Sequence, residues 1–136
     1  TRSLTYIEES YGENSEKKQN ILCMYRQYDG YLSGHGAELA EFLQGFNIVN
    51  GIRHGIPKRT ANGMGCLAAQ LISHFKDGIG NIYIHHSDDE DCGEEFTYTI
   101  YGEDDKVRIR AYDVWAKKII FDGSPEEMLA LAKAQV

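Results

Sequence analysis

The stretch MYRQYDGYLSGHGAELAEFL, Met24 to Leu43, limits the folds open to this chain more than any other part of it. An aromatic, Arg-bearing strand pattern enters a turn containing Gly30, Gly34 and Gly36 and leaves it on the spacing of an amphipathic helix. A strand end and a helix start must therefore lie side by side. Backbone N–H groups at a helix start lack partners inside the helix, and glycines let a ligand approach them without a Cβ in the way. The junction is expected to hold an anion, with Arg26 supplying a guanidinium for phosphate and Tyr28 and Tyr31 supplying rings for a base or nicotinamide. Asp29, Gly34, His35 and Gly36 complete the candidate ligand-binding set at this turn. The plainer alternative is a structural connection whose glycines satisfy backbone geometry and whose His35 caps the helix. Asp29, Ser33 and His35 invite comparison with a hydrolase triad, but the serine lacks a G-x-S-x-G elbow and polar residues are ordinary in turns.

Around this junction the chain reads as one domain, residues 1–136, long enough to bury a core without disulfide staples. Leu4 to Glu8 predicts a first strand, followed by a polar loop up to Gln19. Asn20 to Tyr28 predicts a second, with Leu22 and Met24 on one face and Ile21, Cys23 and Tyr25 on the other, a pattern expected of a central strand. From Ala37, the positions Leu39, Ala40, Phe42 and Leu43 follow helical spacing, and Gly45 suits the stop. A long loop, Asn47 to Gly63, precedes a second helix whose apolar stripe runs through Met64, Leu67, Ala68, Leu71, Ile72 and Phe75. Its own start, ANGMG, is glycine-lined as well. Further strands are expected at Asn81 to His86, Glu95 to Tyr101, Lys106 to Tyr112 and Lys118 to Phe121, joined by turns into an antiparallel meander. Ser124, Pro125 and Glu127 form a helix-start signature for a short terminal helix. The order ββααββββα predicts an α+β fold, a mostly antiparallel sheet of five to six strands with two central helices and a short C-terminal helix.

Charge narrows the partners. The formal net charge is −7. Residues 1–80 carry eight basic and eight acidic side chains, whereas residues 81–136 carry six and thirteen. Duplex DNA is not expected as a partner, because a general DNA binder needs a basic face that the acidic half opposes; a small anion needs only a few converging cations. No apolar run approaches the length of a membrane span, and TRSLTYIEES does not read as a signal peptide, so a cytoplasmic protein with no membrane partner is expected. The start at Thr1 suggests that leading residues are missing. Cys23, Cys66 and Cys92 lack C-x-x-C spacing and read as reduced, mostly buried small hydrophobes.

Three further segments carry chemistry. In KVRIRAY, Val107, Ile109 and Ala111 point one way, while Lys106, Arg108, Arg110 and Tyr112 point the other. If Thr97, Thr99 and Tyr101 share that second face, the sheet presents guanidinium for phosphate, rings for stacking and hydroxyls for ribose; the alternative is a solvated face of cross-strand ion pairs. The loop from Asn47 to Gly63 holds the densest basic cluster, Arg53, His54, Lys58 and Arg59, placed to close over a ligand or to meet another subunit. The segment HHSDDEDCGEE, His85 to Glu95, has metal-binding residue types, but its spacing fits neither an EF-hand nor an H-E-x-x-H helix. It reads as a solvated acidic hairpin, and no metal or cofactor is expected.

The block MYRQYDGYLSGHG resembles a set of small phage and bacterial proteins that carry an aromatic-Asp-Gly-Tyr-x-x-Gly-x-Gly turn before a helix, many with Pro where this chain has Leu32. The whole outline looks like the phage Thoeris anti-defence sponges of the first type. That resemblance implies a compact α+β subunit that assembles into homo-oligomers and sequesters cyclic ADP-ribose isomers or cyclic oligonucleotides without turning them over. By type and placement it implies ligand contacts from Arg26, Arg53 or Arg59, Tyr83, Arg108 and Arg110. The acidic carboxyl half favours a smaller ADP-ribose-type signal over a highly charged cyclic trinucleotide. The expected function is thus non-catalytic capture of a small phosphate-bearing nucleotide. One alternative is a nucleotide or phosphoester enzyme with Asp29 or His35 as base. Another is an acidic inhibitor whose strip from Asp88 to Glu95 imitates nucleic-acid phosphates.

Overall fold

Period-two alternation sets most of the strands, and the computed structural model describes residues 1–52, 55 and 58–135. The elements are β1 (Ser3–Tyr11), β2 (Lys17–Arg26), α1 (Ala37–Leu43), β3 (Asn47–Val49), β4 (Thr60–Asn62), α2 (Gly63–Phe75), β5 (Ile82–His85), β6 (Phe96–Glu103), β7 (Lys106–Asp113), β8 (Lys118–Gly123) and α3 (Pro125–Ala134). The class is α+β, as expected. The sheet differs from expectation: among the described residues it has eight strands rather than five to six, and it is mixed. Its order is β4-β3-β7-β6-β1-β2-β5, with β8 pairing beside β7.

Two corrections follow from pairings between distant segments. β1 lies between β2, to which it is antiparallel, and β6, to which it is parallel from Ser3 opposite Phe96 to Ile7 opposite Ile100. The expected four-strand meander therefore shrinks to β6, β7 and β8. β5 pairs with β2 at the far edge, so residues 86–95 form a crossover that carries the chain past β2 and β1 before β6 begins. The expected long loop between the helices contains β3 and β4, which pair in parallel, so the order is ββαββαββββα rather than ββααββββα. Both strands are only three residues long, too short for alternation to register. β1 and β2 also run further into the polar segment than predicted, pairing out to Tyr11 opposite Lys17, while Tyr28 falls beyond the end of β2.

The helices cover one sheet face. Ile7, Met24, Tyr98, Ile100, Val107, Ile109 and Ala111 from the strands pack with Leu39, Leu43, Leu67, Leu71 and Met128 from the helices. α3 starts as its sequence predicts. Ser124 Oγ accepts from the Glu127 amide, the Glu127 carboxylate accepts from the Ser124 amide, both at 3.1 Å, and Pro125 occupies the first turn. The opposite face of the sheet is shielded in part by residues 86–95, beneath which Leu4 and Cys23 are completely buried outside the main core. Tyr6 donates its hydroxyl to the Asp89 carbonyl, tying that crossover down. No helix among the described residues is long and apolar enough to cross a membrane.

Candidate functional site

At the strand–turn–helix junction, the chain itself occupies the space that the glycines leave. A Cβ on Gly30 would stand 2.8 Å from the Ser3 Cβ, one on Gly34 2.5 Å from the Asp29 carbonyl oxygen, and one on Gly36 2.9 Å from Leu32 Cδ1. The amides are taken as well. Gly34 and Gly36 donate to the Tyr31 carbonyl, and His35 donates to the Asp29 carbonyl at 2.8 Å. The turn winds through Leu32–Gly36 as a wide π-type coil before α1 begins, and this winding is what satisfies those donors. Asp29 enables the tight approach by adopting φ of 58°, while its carboxylate accepts from the Tyr31 hydroxyl at 3.4 Å.

His35 is completely buried, not a surface cap. Its Nδ1 faces Arg26 Nη1 at 3.0 Å, and its Nε2 faces Thr5 Oγ1 at 2.8 Å. A guanidinium only donates, so Nδ1 must be the acceptor and Nε2 carries the proton. Burial, reinforced by the adjacent Arg26 charge, pushes the His35 pKa down to about 3, which keeps the ring neutral. Arg26 is equally committed. Its side chain is 9% exposed, Nε donates to the Tyr28 carbonyl at 2.6 Å, and Nη1 also pairs with Glu38. A cleft of about 300 Å³ opens beside this pair, bordered by Glu38, Glu41, His74 and Asn81. Tyr28 and Tyr31 are exposed, but neither lines this cleft.

The other predicted residues lie elsewhere. Arg59 donates to the Phe42 and Gln44 carbonyls at 2.8 and 3.1 Å, closing the end of α1. Arg53 lies outside the described residues. Tyr83 is on edge strand β5, edge-on to Tyr25 at 6.0 Å, with Lys76 Nζ 5.5 Å from its ring. Strands β2, β1 and β6 separate it from Arg108 and Arg110. The eleven described members of the twelve-residue set thus divide into several places and do not converge on one pocket.

The face shared by β6 and β7 has the expected composition. Thr97 lies opposite Tyr112, Thr99 opposite Arg110, and Tyr101 opposite Arg108, so all six side chains share the side turned away from the helices. The Arg110 guanidinium sits 5.0 Å from the Tyr101 ring centre. Asp122 of β8 holds both, accepting from the Tyr101 hydroxyl at 2.5 Å and from Arg110 Nε at 3.4 Å. Arg108 Nε has no hydrogen-bond partner among the described residues, and Glu103 lies 3.9 Å from it. Ile119 is opposite Tyr112 on this face and is 56% exposed, and Trp115, in the turn just beyond, is 83% exposed. Sequence reasoning passed over both. The signal was a lone tryptophan beside the patterned strand, in DVWAKK.

A cavity of about 550 Å³ is no place for an anion, since Glu8, Glu9, Glu103, Asp104 and Asp105 line it with no basic residue among the described ones. The acidic crossover is not the free hairpin expected. His85, Asp89 and Cys92 place one donor atom each within 4.8 Å of one another. Of the cysteines, only Cys23 is fully buried, and its thiol is pushed up to about 12 by that burial and by nearby Cys92 and acidic side chains; Cys66 is exposed, against expectation, because it faces outward on α2. Neither the family models nor the curated proteins nor the solved structures provide a match to this chain.

Proposed function

We propose that this protein captures a small phosphate-bearing nucleotide on the outer face of β6, β7 and β8 and holds it without turnover. The observation that carries this reading is the register setting Tyr101 against Arg108 and Thr99 against Arg110. Two guanidiniums within one strand supply donors for phosphate oxygens through their outer nitrogens, while Arg108 Nε is buried beside Glu103 and Arg110 Nε is held by Asp122. Tyr112 and Trp115 supply ring faces for a base, and Thr97 and Thr99 supply hydroxyls for ribose. Asp122 orients Tyr101 and Arg110 in advance, which lowers the entropy lost on binding.

The enzymatic alternative loses its best base. His35 has both ring nitrogens engaged and no exposed surface, so it cannot take a proton from a substrate. An open sheet face leaves a ligand half solvated, and high affinity needs enclosure. A second copy of the chain laid across the exposed Trp115 and Ile119 would supply it, in keeping with the oligomeric, sequestering proteins that the sequence resembles.

The test is incubation with cyclic nucleotides and ADP-ribose derivatives, followed by filtration, heat release and mass spectrometry of the retained compounds. Recovery of one compound intact is expected. A compound of altered mass would assign an enzyme instead, and retention of nothing would overturn the reading. Arg108→Ala and Arg110→Ala should each weaken capture by about tenfold or more, with exposed Lys133→Ala as the neutral control.

A further inference from the structure

The acidic crossover between β5 and β6 holds a second arrangement that the nucleotide reading leaves unused. His85 closes β5, and the chain turns back so that Asp89 and Cys92 return to the same ring nitrogen. Asp89 Oδ2 lies 3.5 Å and Cys92 Sγ 3.4 Å from His85 Nδ1. A nucleophile–histidine–acid relay needs thiol and carboxylate on opposite ring nitrogens. Here both crowd one nitrogen, so relay chemistry is ruled out by geometry. Three donors converging on one point is instead the geometry of a coordination shell. With Zn–N near 2.0–2.1 Å and Zn–S near 2.3 Å, the edges of a tetrahedron are about 3.4–3.6 Å, close to the 3.5 and 3.4 Å that separate Asp89 and Cys92 from His85 Nδ1.

The three donors are also held in place independently of any ion. The His85 ring stacks on Tyr25 with centroids 5.1 Å apart and an interplanar angle of 10°, which fixes its plane. Tyr6 anchors the Asp89 backbone. Glu94 accepts the amides of Asp91 and Cys92 at 3.3 and 2.6 Å, setting the turn that presents the thiol. A shallow cavity of about 470 Å³, bordered by Ile84, His85, His86 and Asp89, opens beside two of the three donors and gives solvent a way to a fourth position. We propose that His85, Asp89 and Cys92 form a three-residue binding site for a zinc ion, with the fourth position open to water. The ion would clamp the crossover to the end of β5, and the surrounding acidic side chains would favour its charge. Thiolate, imidazole and carboxylate together suit zinc better than magnesium or calcium, which prefer oxygen ligands alone.

The experiment is a Co²⁺ titration of the reduced chain, followed by back-titration with Zn²⁺. A tetrahedral thiolate-bearing site gives intense visible cobalt bands and a sulfur-to-cobalt charge-transfer band, which one equivalent of zinc should bleach. Cys92→Ser should remove the charge-transfer band, and Asp89→Asn should weaken binding by roughly 10–100-fold or more, while Cys66→Ser changes nothing. Protection of Cys92 from alkylation by zinc, mapped by peptide mass on the unaltered chain, gives the same answer even if a variant fails to fold. Absence of the cobalt spectrum, its loss with Cys66→Ser, or alkylation of Cys92 undiminished by zinc would each overturn the proposal.

Discussion

Acidification below neutral pH should destabilise this protein through His35. The ring is completely buried, accepts from Arg26 and donates to Thr5, and burial lowers its pKa from 6.5 to about 3. In the unfolded chain the same histidine takes up a proton near pH 6.5, whereas the folded protein refuses it until about pH 3. The unfolded state therefore binds more protons throughout that window. The His35 contribution is fully present above pH 6.5 and falls by about 1.4 kcal/mol per unit as the pH drops toward 3. Between about pH 7 and about pH 5 the loss amounts to about 2 kcal/mol, a large share of the stability of a small domain. Urea unfolding across that interval, run on the chain and on His35→Gln, isolates the effect, because the glutamine variant is less stable at neutral pH but has a flatter profile. Nitrogen–proton NMR of the imidazole reads the ring directly and should show a neutral ring protonated on Nε2 at pH 5. Parallel slopes in the two proteins, or a His35 resonance titrating near its ordinary value, would refute the reasoning.

Arg26→Ala should cost about 2–3 kcal/mol in denaturant unfolding, because it strips donors from His35 and from the Tyr28 carbonyl in a buried site. Gly34→Ala should cost about 1–3 kcal/mol, since its Cβ would meet the Asp29 carbonyl and the Tyr31 ring. Gly65→Ala, in α2 with nothing within 4 Å of the new Cβ, should stabilise by about 0.5–1 kcal/mol, and thermal melting of the pair separates packing from backbone freedom. Ser124→Ala should cost about 1 kcal/mol and fray α3, read as faster amide exchange at Glu127 and Met128.

Features written in local pattern were legible in the sequence. The alternation of Lys106 to Tyr112 gave the correct inner and outer faces of β7, and the spacing of Ser124 and Glu127 gave the start of α3. The glycines of the junction were read as leaving room for a ligand. What comes close is the chain itself, and composition does not distinguish a ligand from Ser3 or Leu32. The parallel seam between β1 and β6, the short β3–β4 pair and the convergence of His85, Asp89 and Cys92 depend on pairings or chain reversals that carry no short-range period. Trp115 escaped because turns have no periodicity to set it against.

The seam joining β1 to β6 has a consequence for how the molecule assembles. β1 with β2, and β6 with β7 and β8, are each hairpin-connected and close short loops, whereas Ser3 opposite Phe96 closes most of the chain at once. The entropy of closing that loop must be lost before the parallel contacts repay any of it. Two locally closed halves, β1–β2 and β6–β8, thus meet along this seam, to which β3 adds a shorter pairing on β7, and their docking is expected to set the folding rate. Until the halves meet, one edge of β1 and one edge of β6 stay unpaired. Those two edges are where a partly folded chain is open to pairing with a neighbour, so crowding during synthesis tests this seam before any other part of the sheet.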